Sequence, residues 1–199
     1  FLGPVPVGAV DVAAAVERDG RSVQLLSGEL SAAGRPVLRA RAWVLRTDDA
    51  GPTAGATGVA AIPGPDAGVA DAAEFDFGYG HAMQWRTVGG RADRPGPATV
   101  WARPRLPLVP DEQPAPEQVT ALAADAGSGV SWELPWDRWS FVNVDLDLSF
   151  ARRPIDGWVG MAARTTMAGD GTGQCRTVLH DGDGWFGQSV QSLLVAPRE

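Results

Sequence analysis

Apolar and polar residues alternate along much of the first 45 positions, with the period of two that is typical of a strand with one buried face. The clearest run is PVLRARAWVL at residues 36–45. Residues 10–16 and 21–30 show weaker forms of the same pattern. Residues 1–8, FLGPVPVG, contain two prolines, which suit a strand edge or the exit from a strand. Short polar turns separate these runs, so we expect an antiparallel meander.

The rest of the chain predicts six more strands. Asp-Gly and Gly-Asp-Gly turns separate the last four, and such turns join antiparallel neighbours. The predicted strands cover residues 81–88, 98–106, 140–150, 157–167, 171–180 and 185–195. Residues 47–73 differ, because they are rich in Gly, Pro, Ala and Asp and show no usable period. We expect this stretch to be a mobile linker.

One stretch predicts a helix convincingly, PEQVTALAADAGSG at residues 116–129. Its first residue is proline, whose fixed φ and missing N–H suit a first helical turn. Val119, Leu122 and Ala123 follow the i, i+3, i+4 spacing of one apolar face. The two glycines near its end are expected to stop it. Asp125 then lies in the last turn, where the helix dipole disfavours an anion, so either solvent or specific partners must hold its carboxylate.

The order of these elements indicates an α+β fold in which a curved antiparallel sheet wraps the helix. The front half of the chain repeats the meander without a helix of its own. One apolar face of that front sheet would therefore be uncovered unless another element or subunit packs on it.

Composition and charge exclude several classes of protein. Hydrophobic residues make up 44% of the 199 positions, which is ample for a packed core. The formal net charge of −7 argues against nucleic acid or an anionic membrane as the main partner, because both bind basic surfaces. Cys175 is the single cysteine, so no intrachain disulfide can form and a cytoplasmic location is expected. No apolar run approaches the roughly 18 residues of a membrane span.

Six segments, in their order and separation, carry a family resemblance: FLGPVPVG, RARAWVLR, VWARPRLPL, ALAADAGSG, FVNVDLDLSFARRP and GQSVQSLLV. Together they resemble the double-hotdog acyl-CoA thioesterases of type II. The resemblance implies two hotdog units, each a helix wrapped by an antiparallel sheet, with acyl-CoA at their seam. It also implies a homodimer or a higher homo-oligomer. We expect a partial N-terminal hotdog at residues 1–92, which includes the linker, and a C-terminal hotdog at 93–199.

The resemblance also implies a catalytic trio that binds and activates the hydrolytic water. The matching positions are Asp125, Asn143 and Gln191, with Asn143 standing where better-known members have Thr. Both amides lie in apolar strand patterns, and buried amides need partners, which favours a site over a surface. Taken singly, each residue could equally be an ordinary solvated side chain. The implied reaction is hydrolysis of fatty acyl-CoA to fatty acid and CoA, in fatty acid metabolism, without a metal or other cofactor.

Three further residues are candidates for contact with the substrate. Trp132, with two more tryptophans after the helix, could wall an acyl tunnel. Arg152 and Arg153 at a strand end could meet the phosphates of CoA or simply be solvated. The two histidines form neither a Ser-His-Asp order nor a metal-ligand cluster, so they favour a structural or surface role.

The resemblance fails at the front of the chain. A full member of the family begins with a strand and a helix carrying a His-Gly-Gly type turn, and neither precedes FLGPVPVG here. We expect the first hotdog to be incomplete, and the competence of the chain as a hydrolase to depend on what covers its sheet. Two alternatives follow: a non-catalytic module that binds acyl groups or other hydrophobic ligands, and a structural subunit that completes another chain's hotdog.

Overall fold

The computed structural model describes residues 1–48, 51, 58–70, 77–90 and 93–198. The chain divides into two compact units, Phe1–Ala56 and Thr57–Glu199. The predicted boundary at residues 92 and 93 falls instead inside the second unit. It lies between two strands that pair antiparallel from Met83 opposite Pro104 to Gly89 opposite Thr99. Their backbone hydrogen bonds tie residues on both sides of the predicted boundary into one sheet.

The first unit is a three-stranded antiparallel sheet made of β1 (Asp11–Arg18), β2 (Val23–Ala32) and β3 (Arg35–Leu45), in that order. The predicted meander is therefore present. The proline-rich start, residues 1–8, stays outside the strands, and Leu2 N–H donates to the carbonyl of Val37 at 2.8 Å. Prolines cannot donate to a ladder, which explains why this segment adds no strand.

The second unit is an eight-stranded antiparallel sheet that packs against two consecutive helices. In chain order, its elements are a 3₁₀ turn (Pro65–Ala67), β4 (Val69–Ala70), α1 (Gly78–Ala82), β5 (Met83–Gly89), β6 (Ala98–Pro104), α2 (Pro116–Ala124), α3 (Gly127–Val130), β7 (Trp139–Asn143), β8 (Asp147–Phe150), β9 (Val159–Met167), β10 (Thr172–Asp181) and β11 (Gly184–Pro197). The sheet order is β4-β5-β6-β9-β10-β11-β7, and β8 also pairs with β11. This arrangement is the predicted α+β layout.

The core of the second unit lies between the helices and one face of the sheet. α2 buries Val119, Ala123 and Ala124, which pack with sheet residues such as Met161 and Phe186. Side chains along a strand point alternately to the two sides of the sheet, so every second residue of β10 and β11 enters this core.

Two predicted elements are interrupted in the structure. The helix expected over residues 116–129 ends at Ala124, and a second helix begins at Gly127, so that glycine does not stop helical structure. The strand expected over residues 140–150 is split into β7 and β8. At this split the Asp145 carboxylate accepts hydrogen bonds from Ser192 N–H at 2.7 Å and Ser192 Oγ at 3.0 Å.

The predicted linker is partly structured. Its described residues 58–70 belong to the second unit, where they form the 3₁₀ turn and β4, which pairs with β5. Trp101 Nε1 donates to the carbonyl of Pro63 at 2.7 Å, and His180 Nε2 lies 3.3 Å from the carbonyl of Ala60. These contacts oppose the predicted mobility for that part, while residues 49–50, 52–57 and 71–73 lie outside the described residues. Among the helices described, none is long and apolar enough to cross a membrane.

Adjacent leucines on β11 test which face of the sheet is the core. Leu193 is 3% exposed and Leu194 is 59% exposed. Leu193→Ala should lower the free energy of unfolding by about 2–5 kcal/mol, because it leaves a cavity. Leu194→Ala, the matched control, should change it by less than about 0.5 kcal/mol. Urea unfolding followed by tryptophan fluorescence measures both, and equal losses would contradict the assigned faces.

Candidate active site

The break between α2 and α3 places Asp125 at the centre of a hydrogen-bonded cluster. Carbonyls in the last turn of a helix have no intrahelical partner and need other donors. The backbone carbonyl of Asp125 accepts from Gln191 Nε2 at 2.9 Å and from Asn143 Nδ2 at 3.1 Å. Of the three residues that the resemblance pointed to, both amides thus bind Asp125 directly. Strands β7 and β11 supply the two amides, and the end of α2 supplies the acid.

The carboxylate of Asp125 is held on one side only. Its Oδ1 accepts a hydrogen bond from Asn143 Nδ2 at 3.0 Å. No described residue donates to its Oδ2. The residue keeps an exposed surface, yet enough protein surrounds the carboxyl that burial raises its pKa, and the Asn143 hydrogen bond offsets this only in part. A carboxylate with one oxygen fixed and the other open can accept a proton from a water molecule.

Gln191 is fully buried and joins the two helices. Gln191 is 0% exposed and lies on the inward face of β11, opposite the buried Cys175 of β10. Its Nε2 donates to the Asp125 carbonyl, and its Oε1 accepts from the backbone N–H of Ser128 at 3.0 Å. One amide group therefore satisfies a carbonyl at the end of α2 and an N–H at the start of α3.

Asn143 reaches the same point from the last position of β7. The register of β7 and β11 places it opposite Leu193, whose side chain is buried, so Asn143 also faces inward, near Gln191. Its two Nδ2 hydrogens have two acceptors on Asp125, the carbonyl and Oδ1. Its Oδ1 accepts from Ser128 Oγ at 2.9 Å. In this geometry Asn143 and Gln191 bind Asp125 and Ser128, so they position the carboxylate.

Position 127 requires glycine because the start of α3 lies very close to side chains of the sheet. A Cβ built at this position would lie 2.7 Å from Thr177 Oγ1 and 2.9 Å from Gln191 Oε1. Beneath it, Ser131 Oγ contacts the Gly127 carbonyl at 2.9 Å and Thr165 Oγ1 at 2.8 Å. Ser131, directly after α3, thus links the backbone of Gly127 to Thr165 on β9.

Tyr79 flanks Asp125 from α1. Its hydroxyl donates to the carbonyl of Leu122 at 2.7 Å, and its ring stacks on Phe77 at 6.4 Å between centroids. Burial, together with the nearby Asp125 charge, raises the pKa of the Tyr79 hydroxyl, so it stays neutral at physiological pH. Sequence reasoning missed both Tyr79 and Ser128. The one available signal for Ser128 was its i+3 spacing from Asp125.

The residues predicted to contact substrate lie in different settings. The Arg152 guanidinium binds both carboxylate oxygens of Asp181, at 2.6 and 2.8 Å, and is therefore committed to an internal ion pair. Arg153 pairs with Glu117 at 3.0 Å, but 72% of its side chain is exposed. Trp132 is half-buried, and its carbonyl accepts from Gly96 N–H at 2.8 Å.

The described part of the chain contains no candidate site for a metal ion. No group of three or more His, Cys, Asp or Glu residues there could hold a metal ion. Cys175 is fully buried, and a thiol buried in apolar surroundings is a weak nucleophile.

Comparison with protein families matches both parts of the chain. Residues 1–45 match the model described as the acyl-CoA thioesterase N-terminal domain, and residues 56–195 match the acyl-CoA thioesterase C-terminal domain. A search of curated proteins gave no match.

Solved structures share the fold at low sequence identity. A protein of Alicyclobacillus acidocaldarius with a hotdog fold and unknown function is 18% identical, over 100% of this chain and 77% of its own, with a TM-score of 0.78. A protein of Novosphingobium aromaticivorans assigned as a thioesterase is 21% identical, over 98% and 76%, with a TM-score of 0.74. The acyl-CoA thioesterase II TesB2 of Mycobacterium marinum is 18% identical, over 94% and 74%, with a TM-score of 0.63. The predicted α+β hotdog fold is confirmed.

Two glycines of α3 provide a matched test of the helix break. Gly127→Ala would push a methyl group against Thr177 and Gln191, and should cost about 1–3 kcal/mol of unfolding free energy. Gly129→Ala meets nothing within 4 Å and should be neutral or stabilising by up to about 1 kcal/mol. Thermal and urea unfolding measure both variants. Equal tolerance at the two positions would show that the close approach at Gly127 is not tight.

Proposed function

The chain belongs to the acyl-CoA thioesterase family, whose reaction is thioester hydrolysis, and we propose that it hydrolyses fatty acyl-CoA by a water molecule that Asp125 activates. The main support for this proposal is that the Asp125 carboxylate is hydrogen-bonded through only one of its two oxygens. Asn143 fixes Oδ1, whereas no described residue donates to Oδ2. A general base must have a free lone pair at a defined place, and Oδ2 offers one.

The chemical step balances without any further reactant. A water molecule donates a hydrogen bond to Asp125 Oδ2 and attacks the thioester carbonyl carbon. Its proton passes to Oδ2 as the new C–O bond forms, which gives a tetrahedral intermediate. When the C–S bond breaks, the proton on Asp125 neutralises the leaving CoA thiolate. The products are a fatty acid and CoA with a free thiol, and Asp125 returns to its ionised state.

The two amides act on this step through Asp125. Gln191 is fully buried, so we assign it to holding the backbone at the helix break. Asn143 donates to both the carbonyl and the carboxylate of the same residue, so it sets the direction in which Oδ2 points. Preorganisation of this kind lowers the barrier because the base needs no reorientation at the moment of reaction.

A fatty acyl chain is the proposed acyl group because of the aromatic side chains beside Asp125. Tyr79 and Phe77 stack on each other, and Tyr79 is close enough for the Asp125 charge to affect its pKa. Phe77 is 53% exposed, which leaves apolar ring surface for an alkyl chain. Trp132 remains a proposed acyl contact. Arg153 is the better proposed contact for CoA phosphates, because Arg152 is bound to Asp181.

Asp125→Asn separates catalysis from folding. The substitution keeps an oxygen for the Asn143 hydrogen bond but removes the base, so hydrolysis of octanoyl-CoA or palmitoyl-CoA should fall by at least about 100-fold. The pKa of Asp125 is raised in the folded chain, so its ionised form opposes folding at neutral pH. The variant should therefore be at least as stable as the parent chain at pH 7. Release of free thiol measures turnover, and urea unfolding measures stability.

Asp147→Asn is the matched control, since Asp147 is an exposed acid at the start of β8. It should leave hydrolysis unchanged. Ligand binding without turnover, unaffected by Asp125→Asn, would instead favour a non-catalytic module that binds acyl groups.

The pH dependence of hydrolysis should carry the same signature. The base works only when ionised, so kcat/KM should fall with decreasing pH through a pKa above the usual value for Asp, about 3.9. The contribution of Asp125 to the free energy of unfolding should change with pH in the opposite direction, falling as pH rises. A raised folded pKa contributes stability that is present below the unfolded pKa and lost as pH rises through the folded pKa. The stability advantage of Asp125→Asn over the parent chain should thus grow as pH rises. An acid limb of kcat/KM with a pKa at or below the ordinary Asp value would contradict the assignment of Asp125 as the base.

A further inference from the structure

Ser128 contacts both amides of the site and uses two different groups to do so. Its backbone N–H donates to Gln191 Oε1 at 3.0 Å, and its hydroxyl donates to Asn143 Oδ1 at 2.9 Å. The residue is 5% exposed, so water does not readily replace these bonds. Neither the catalytic trio nor any predicted substrate contact includes it.

The hydrogen-bond partners of the two amides determine which end of each amide faces Asp125. A backbone N–H can only donate, so Gln191 must present its oxygen to Ser128 and its NH₂ group to the Asp125 carbonyl. The carbonyl and carboxylate of Asp125 can only accept, so Asn143 must present Nδ2 to them. Its Oδ1 then needs a donor on the other side, and the rotatable Ser128 hydroxyl supplies it.

The hydroxyl also strengthens the bond that holds the carboxylate. Ser128 Oγ, the Asn143 amide and Asp125 Oδ1 form a continuous chain of donors and acceptors. A donor on the amide oxygen makes the amide N–H a better donor, because hydrogen bonds in a chain polarise one another. The bond from Asn143 lowers the pKa of Asp125 against the effect of burial. Tyr79 also faces Asp125, but it stays neutral over the acid range.

We propose that Ser128 is a positioning residue for thioester hydrolysis, whose hydroxyl keeps the Asn143 amide donating to the Asp125 carboxylate. This inference rests on the proposed function of the same site. Ser128 acts through Asn143 and needs no contact with the substrate. Its place in the chain supports the role, because Ser128 is the second residue of α3 and its hydroxyl reaches Asn143 at the end of β7.

Ser128→Ala removes the hydroxyl and leaves the backbone N–H in place. One net hydrogen bond corresponds to a change of roughly three- to tenfold, so kcat should fall by that factor while KM changes less than about twofold. The acid limb of kcat/KM should move to higher pH, because the carboxylate loses part of its support. Ser192→Ala is the matched control: its hydroxyl also donates to a side chain distant in sequence, Asp145, outside the site. It should leave both kcat and the acid limb unchanged.

A second measurement does not depend on activity. Titration of the Asp125 carboxyl by ¹³C NMR should give a higher pKa in Ser128→Ala than in the parent chain or in Ser192→Ala. Should Ser128→Ala fail to fold, Ser128→Cys keeps a similar size with a weaker donor, and should shift the titration in the same direction by less.

The two proposals fail in different ways. If Asp125→Asn retains full hydrolysis, the proposed role of Asp125 as the base is wrong, and the NMR titration then decides only whether the Ser128 hydroxyl supports the Asp125 carboxylate. If Asp125→Asn is inactive but Ser128→Ala leaves the titration and kcat unchanged, or changes KM alone, the positioning role of Ser128 is overturned.

Discussion

The site depends on one interrupted helix whose end is bound by side chains from the sheet. Where α2 stops, the carbonyl of Asp125 accepts from both Asn143 and Gln191. A helix end without such donors would leave a polar group unsatisfied beside the core, at a cost of about 1–3 kcal/mol. The same two bonds hold the backbone of Asp125 in place, and they thereby set the direction of its carboxylate. Local folding and proposed catalysis thus share the same hydrogen bonds.

Strand register and small side chains make this arrangement possible. Alternation along β11 turns Gln191 inward, and pairing with β7 brings Asn143 to the same face. Gly127 then lets the helix approach the sheet closely enough for Gln191 to reach it. A larger residue there would separate the amide from the backbone that it holds. The acid can therefore lie in a partly buried setting, where its pKa is raised towards the range useful for a general base.

Much of the fold could be predicted from the sequence, because it is encoded locally. Alternation and turn residues located the strands, and the i, i+3, i+4 spacing located the helix. The helix break and the split between β7 and β8 could not be predicted, since both depend on partners distant in sequence, such as Gln191 for the break. The predicted domain boundary lies between β5 and β6, and the pairing of these strands depends on tertiary contacts that the sequence pattern does not show.

The candidate site, like the fold, could be predicted from the sequence only in part. The resemblance selected Asp125, Asn143 and Gln191, and the structure brings them together, whereas their catalytic roles stay a proposal. Arg152 illustrates the limit: a basic pair at a strand end gives no hint that Asp181, distant in sequence, binds one of its members.

A crystal structure of the chain with a non-hydrolysable thioether analogue of fatty acyl-CoA decides whether Asp125 Oδ2 holds the attacking water. If Asp125 is the base, we expect one ordered water within hydrogen-bond distance of Oδ2 and about 3–3.5 Å from the atom that replaces the carbonyl carbon. An analogue bound with that atom beyond reach of any water on Asp125, or an Oδ2 turned to bulk solvent, would contradict it.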